Sequence, residues 1–71
     1  MYTMGQTIKQ LRKAKGVTQE ELAGALNLTY QAVSKWENGV AQPDIMMMPA
    51  LATYFGVTID ELFGYKLDVM T

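Results

Sequence analysis

The 71-residue sequence contains neither cysteine nor histidine. Disulfides and thiolate metal sites are therefore excluded, and so are the commonest metal ligand and the commonest general base at neutral pH. No apolar stretch approaches the roughly 20 residues that span a bilayer, and the N-terminal segment MYTMGQTIKQ does not contain the apolar core of a signal peptide. We therefore expect a cytoplasmic protein that is not an enzyme, holds no metal or cofactor and has no membrane partner.

Charge is scarce and unevenly distributed. The net charge of −1 by itself argues against a nucleic-acid partner. However, residues 1–40 carry five basic and three acidic side chains, whereas residues 41–71 carry one basic and four acidic ones. A surface for nucleic acid would therefore lie in the first half of the chain, with modest nonspecific affinity and a shallow salt dependence.

The most informative segment is TQEELAGALNLTYQAVSKWENG, Thr18 to Gly39. Its apolar residues recur three or four positions apart in two short stretches, as the buried face of a helix requires. Thr18 and Glu21 have the spacing of a capping box at the start of the first stretch. Asn27 separates the two stretches and tolerates the left-handed backbone of a tight turn. The segment therefore predicts two short helices joined by a corner.

The second of these helices has two chemically different faces. Val33 and Trp36 are three positions apart and are expected in the core, while Thr29 is a candidate N-cap and Gly39 a candidate terminator. The polar residues of the same helix are expected to face outward: Tyr30, Gln31, Ser34, Lys35 and Asn38. A row of amide, hydroxyl and amine groups on a short helix suits DNA base edges and phosphates.

Three further helices flank this pair, and no segment predicts a strand. Pro49 is unfavourable inside a helix, so we expect a short helical turn over Ile45–Met48 and regular helix from about Pro49. The methionine run 46–48 either fills the core or offers an adaptable surface to a partner. The fold class is therefore an all-α, compact five-helix bundle, whose flanking helices cover about residues 4–15, 45–55 and 58–64.

In this order, the motifs resemble the Cro/phage-repressor (XRE-type) helix-turn-helix family. They are Q-E-E-L-A, then T-x-Q-x-V-S-K-W-E-N-G, then P-D-I, then L-A-x-Y-F-G-V-T-I-D-E-L, and the resemblance covers about Met4 to Gly64. It implies a lambda-repressor-like domain over residues 1–66 that binds double-stranded DNA in the major groove as a homodimer. It also implies that the tail, residues 67–71, contributes to the dimer contact through Leu67, Val69 and Met70, together with the fifth helix.

The resemblance also implies roles for individual residues. An ion pair between Arg12 and Glu37 would tie the first helix to the end of the recognition helix. The base-facing positions would be Tyr30, Gln31, Ser34 and Lys35. The positions that contact the DNA backbone would be Gln19, Thr29 and Asn38.

Two functions follow from these observations. The first is a sequence-specific DNA-binding transcriptional regulator, a repressor acting on a palindromic operator. The alternative is an antitoxin or adaptor whose main partner is another protein, with DNA binding secondary. The acidic second half, the methionine run and the apolar tail motivate this alternative.

Overall fold

The computed structural model describes residues 3–64, and within that range the regular structure is entirely helical. Five α-helices and one 3-10 turn follow one another, so the predicted five-helix, all-α fold is confirmed. They are α1 Met4–Lys15, α2 Gln19–Ala25, α3 Tyr30–Glu37, the 3-10 turn Ile45–Met47, α4 Met48–Phe55 and α5 Ile59–Leu62. The predicted domain boundary at residue 66 and the dimer contacts of the tail lie outside the described residues.

Three helices begin with capping boxes, one of them the box predicted at Thr18. In each box a threonine hydroxyl accepts a hydrogen bond from the backbone N–H three residues later, and the side chain there accepts one in return. Each box satisfies two backbone amides that a helix start would otherwise leave unpaired. The pairs are Thr3 with Gln6, Thr18 with Glu21, and Thr58 with Glu61.

The corner between α2 and α3 follows the prediction except at Thr29. Asn27 adopts the left-handed conformation, with φ of 61°, and Leu28 N–H donates to the Ala23 carbonyl at 2.8 Å. Thr29 precedes α3 in an extended conformation, but its hydroxyl makes no capping bond. The expectation of a side-chain cap at Thr29 is therefore wrong. Its backbone carbonyl, which accepts from Ala32 N–H at 3.1 Å, starts the helix instead.

The approach to α4 is a 3-10 turn, close to the prediction. The Asp44 carboxylate accepts from Met46 N–H at 3.3 Å, and Pro49 lies in the first turn of α4, where its missing N–H costs nothing. The methionine run is divided between the core and the surface. Met48 is buried and Met47 packs against the core, whereas Met46 is 80% exposed.

All five helices contribute to one core, and this fixes the orientation of α3. Val33 and Trp36 point inward from α3, as predicted. The buried apolar residues are Met4, Ile8, Leu22, Ala23, Val33, Trp36, Met48, Leu51, Ala52 and Leu62.

Within residues 3–64, no helix combines the length and apolar character that crossing a membrane requires.

Helix α1 approaches α3 backbone to backbone at Gly5. A Cβ atom on Gly5 would lie 1.8 Å from the carbonyl oxygen of Trp36 and 3.3 Å from the Cα of Glu37. No other residue fits there without moving one of the helices. Helical periodicity does not reveal this contact, because a close crossing depends on the packing of two distant segments.

Candidate nucleic-acid interface

The outer face of α3 presents polar groups from a helix that the core holds in place. Gln31 and Lys35 are exposed and Tyr30 is about half exposed, while Val33 on the opposite face is completely buried. A helix rotates as a unit, so burial of Val33 and Trp36 fixes the outward direction of the polar residues. The structure thus places three of the four predicted base-facing residues at the surface.

Ser34 and Asn38 differ from the simple outward arrangement. Ser34 is half-buried, and its hydroxyl oxygen accepts a hydrogen bond from the side-chain amide of Asn38 at 3.3 Å. Asn38 is exposed at the C-terminal end of α3, where its backbone N–H donates to the Ser34 carbonyl at 3.0 Å. Ser34, predicted to face the bases, and Asn38, predicted to contact the DNA backbone, are therefore joined by a hydrogen bond.

Below this surface, Arg12 of α1 and Glu37 of α3 form a bidentate ion pair. Arg12 Nε donates to Glu37 Oε2 at 2.7 Å and Arg12 Nη2 donates to Oε1 at 3.0 Å. The Arg12 side chain also donates to the Val17 carbonyl at 3.0 Å. The two side chains are only 12% and 2% exposed. Such parallel N–H···O bonds fix both position and orientation, so this pair ties α1 to the end of α3.

Gln19, the first residue of α2, joins the same carboxylate. Its side-chain Nε2 donates to Glu37 Oε1 at 3.0 Å. The sequence predicts Gln19 beside the DNA backbone but does not reveal this contact, because nothing in the spacing of Arg12, Gln19 and Glu37 indicates it. Glu37 therefore connects α1, α2 and α3 through a single side chain.

The surroundings of Glu37 shift its titration. Burial by itself would raise the pKa of Glu37, but hydrogen bonds from Arg12 and Gln19 outweigh it, helped by the positive charges of Arg12 and Lys9. The net effect holds the pKa of Glu37 below its ordinary value. The hydrogen bond with Glu37 raises the pKa of Arg12 above its already high value. Both groups are therefore charged at neutral pH.

This shift predicts an acid-sensitive fold. A carboxylate with a lowered pKa in the folded state stabilises the protein above its unfolded pKa, and the stabilisation is lost as pH falls through the folded pKa. We expect the free energy of unfolding, measured by urea titration, to decline from just above pH 4.5, the ordinary value for Glu37, downward. Glu37→Gln removes the titrating group, so its profile should be flatter over that range. Equal slopes for the two proteins would contradict the assignment.

Gln19 and Tyr30 share a shallow depression beside the start of α3. Tyr30 forms one wall and Gln19 another, where α1 turns into α2. The remaining lining residues are Arg12, Gly16, Val17, Thr18 and Glu20. The depression brings together Tyr30, predicted to face the bases, and Gln19, predicted to contact the DNA backbone.

The other basic residues of α1 are three lysines. Lys9 and Lys13 are exposed, and Lys15 Nζ lies 4.9 Å from the centroid of the Tyr54 ring. Among residues 3–64 there is no cluster of three acidic side chains that could hold a metal ion. The chemistry of this surface is that of amides, hydroxyls and ammonium groups, which bind polar and anionic partners.

Comparison with known proteins agrees with this geometry. A family model described as helix-turn-helix matches residues 8–62, well over half of the chain. The chain belongs to the XRE-type helix-turn-helix family. The match extends from α1 to α5 and so includes the whole α2–α3 pair.

Several helix-turn-helix proteins are similar to this chain. The transcriptional activator BcrR of Enterococcus faecalis is 42% identical over 57 residues, 80% of this chain and 28% of BcrR. A transcriptional regulator from Listeria innocua superposes with a TM-score of 0.82 at 33% identity, over 97% of this chain and 64% of that one. The P22 c2 repressor, solved with a synthetic operator, also gives 0.82, at 25% identity, over 89% and 96% of the two chains.

The chain therefore spans less than a third of BcrR and just under two thirds of the Listeria regulator. In both comparisons the shared part is the helix-turn-helix domain described above. Similarity to these proteins covers this domain and not the remainder of the longer relatives.

Proposed function

We propose that this protein is a sequence-specific, double-stranded DNA-binding transcriptional regulator. In this proposal α3 enters the major groove, where Tyr30, Gln31, Ser34 and Lys35 face the bases. The DNA backbone is contacted from Gln19, Thr29 and Asn38. The regulator acts as a repressor, and two copies bind a palindromic operator.

One observation carries the proposal: α3 is anchored by Val33 and Trp36 and presents Gln31 and Lys35 outward from the same turns. An amide can both donate to and accept from one adenine, and an ammonium group can reach guanine or phosphate. The synthetic operator present in the P22 c2 repressor structure supports DNA as the partner of this fold. Exposure of the Thr29 side chain, whose hydroxyl makes no capping bond, suits a phosphate contact.

Exposed apolar side chains near α5 support the homodimer. Ile59 is 41% exposed and Phe63 is 45% exposed, and a second copy would remove both from water. Two copies would place their α3 helices in successive major grooves, about 34 Å apart. Sedimentation equilibrium tests this step. We expect Phe63→Ser to weaken dimerisation, whereas Val40→Ser, at an apolar residue that is more exposed, should leave it intact.

Selection of bound duplexes from a random library tests the proposal directly. We expect recovery of a two-fold symmetric site whose half-sites are separated by about one helical turn, roughly 10 base pairs. A recovered site without symmetry would contradict the dimer but leave the DNA contact standing. Failure to enrich any sequence above the starting library would contradict sequence-specific recognition.

Gln31→Ala is expected to weaken binding to the selected duplex by about 1–3 kcal/mol and to relax preference at one base pair. The side chain is exposed, so the substitution removes base contacts without disturbing the core. Fluorescence anisotropy on the selected duplex and on a scrambled one separates the two effects. Equal losses on both duplexes would contradict a base-reading role.

Lys35→Ala tests whether Lys35 contacts a phosphate or a base. If Lys35 holds a phosphate, its removal weakens binding to both duplexes and lowers the slope of log K against log salt by about one. The exposed Lys13→Ala, on α1, serves as a control of equal charge. An unchanged salt slope together with altered base preference would assign Lys35 to a base instead.

A second function is favoured by a specific surface. Ile45 and Met46 are 76% and 80% exposed, and the acidic second half of the chain surrounds them in sequence. An antitoxin or adaptor would cover such residues with another protein, leaving DNA binding secondary. Co-purification of a stoichiometric partner from the native host, lost on Ile45→Ser with Met46→Ser, would favour this function over the first.

A further inference from the structure

We propose that Glu37 is a positioning residue for DNA binding, and that it acts by orienting the side-chain amide of Gln19 toward a phosphate. This inference rests on the proposed function, because it concerns a contact with the DNA backbone. It extends that function because the buried side chain of Glu37, on α3, would set the orientation of a phosphate contact made by Gln19 on α2.

The orientation of the Gln19 amide follows from the chemistry of its partner. A carboxylate only accepts hydrogen bonds, so Gln19 must turn Nε2 and not its oxygen toward Glu37 Oε1, 3.0 Å away. The reverse orientation would place two oxygens in contact. Glu37 cannot move to accommodate it, because Arg12 holds both carboxylate oxygens at 2.7 and 3.0 Å.

The amide nitrogen carries a second hydrogen, which this bond does not use. Within residues 3–64, the bond to Glu37 is the one side-chain hydrogen bond that Gln19 makes. Gln19 is half-buried and lines the depression that it shares with Tyr30. The nitrogen therefore has one hydrogen committed to Glu37 and a second that a phosphate oxygen at this depression would accept.

Arg12 makes this arrangement compatible with an anionic ligand. A lone carboxylate next to a phosphate anchor would repel it. The bidentate pair of Arg12 and Glu37 is neutral as a unit, so Glu37 can orient Gln19 without presenting net negative charge. The three residues lie on α1, α2 and α3, which links the anchor at the start of α2 to the end of the recognition helix.

A double-mutant cycle tests the proposal with four proteins: the wild type, Gln19→Met, Glu37→Gln and the double variant. Methionine has nearly the length of glutamine and carries no amide. Phosphate contacts are independent of sequence, so the probe is a mixed-sequence duplex of about two helical turns, roughly 21 base pairs. Binding is measured below the unfolding transition of every variant, with thermal unfolding recorded for each.

We expect Glu37→Gln to weaken binding about threefold to tenfold in the wild-type background, the range that one hydrogen bond contributes. In the Gln19→Met background the same substitution should cause no loss of affinity, because the group it positions is absent and the unpaired Arg12 charge favours an anionic ligand. Equal losses in both backgrounds would overturn the proposal and leave Glu37 a structural residue. An unchanged affinity of Gln19→Met would overturn it too.

The side-chain amide signals of Gln19 provide a test that does not need Glu37→Gln to fold. These signals are identified in the free wild-type protein by their absence in Gln19→Met. One of the two amide hydrogens should be displaced from the shift of a free glutamine by its hydrogen bond to the carboxylate. Adding the duplex should move the other hydrogen. Two hydrogens at the shifts of a free glutamine amide would overturn the proposal. Failure of the wild type to bind any duplex would overturn the proposed function instead.

Discussion

Gly5→Ala is expected to destabilise the protein by about 3 kcal/mol, the upper part of the range for overpacked sites. The added Cβ would lie 1.8 Å from the Trp36 carbonyl oxygen. Both sides of this contact are helix backbone, so no side-chain rotation relieves it. At the usual 0.05–0.15 kcal/mol per residue, a chain this size has a total stability of about 4–10 kcal/mol. The loss should therefore lower the unfolding midpoint by roughly 12–24 °C.

Gly24→Ala is the matched control. Gly24 is an exposed helical glycine of α2, and a Cβ there would meet nothing within 4 Å. It should gain about 0.5–1 kcal/mol from the helix propensity of alanine. Circular-dichroism melts of the two variants compare the same chemical change in opposite surroundings. A Gly5→Ala protein as stable as the wild type would show that α1 does not approach α3 as closely as described.

The contact at Gly5 also matters for DNA binding, because it sets the position of α1 against the C-terminal half of α3. Helix α1 carries Arg12, which holds Glu37. A displacement of α1 would therefore reach Glu37 and, through it, Gln19. We expect any folded Gly5→Ala protein to bind DNA more weakly than its folded fraction alone explains.

Local chemistry made most of the fold predictable. The capping threonines, Asn27 at the corner and Pro49 near a helix start each act over three or four residues, and a single segment of sequence reveals them. The helix boundaries consequently agree to within about two residues, as such signals allow. Thr29 was the exception. A threonine before a helix can leave its hydroxyl free, and sequence does not distinguish that case from a side-chain cap.

The candidate site was predictable only in part, because its residues differ in the range of their interactions. Gln31 and Lys35 follow from the helical period once Val33 and Trp36 are assigned to the core. The contact from Gln19 to Glu37 joins residues of two helices, and no periodicity encodes it. The hydrogen bond between Ser34 and Asn38 is different, because residues four apart on one helix are neighbours and the sequence already places them side by side.

Glu37→Ala is the second substitution expected to have a large effect. It leaves the Arg12 guanidinium, only 12% exposed, without its carboxylate. Removing one partner of a buried ion pair typically costs about 3–5 kcal/mol, because the remaining charge is uncompensated. We expect a large decrease in the free energy of unfolding by urea titration at pH 7. Glu21→Ala, which removes an exposed carboxylate that accepts one hydrogen bond from Thr18 N–H, should cost less, about 0.5–1.5 kcal/mol.

Replacing both Arg12 and Glu37 separates the contribution of the ion pair to stability from its contribution to DNA binding. An apolar pair of similar size avoids the buried charge, and such replacements are often neutral or stabilising. Arg12→Met with Glu37→Leu should therefore recover most of the stability that Glu37→Ala loses. It restores no acceptor for Gln19, so its affinity for duplex DNA should stay reduced about threefold to tenfold, the worth of one hydrogen bond. Recovery of both stability and affinity would mean that the ion pair serves folding alone. Recovery of stability without affinity would show that the Glu37 carboxylate also serves DNA binding, by orienting the side-chain amide of Gln19.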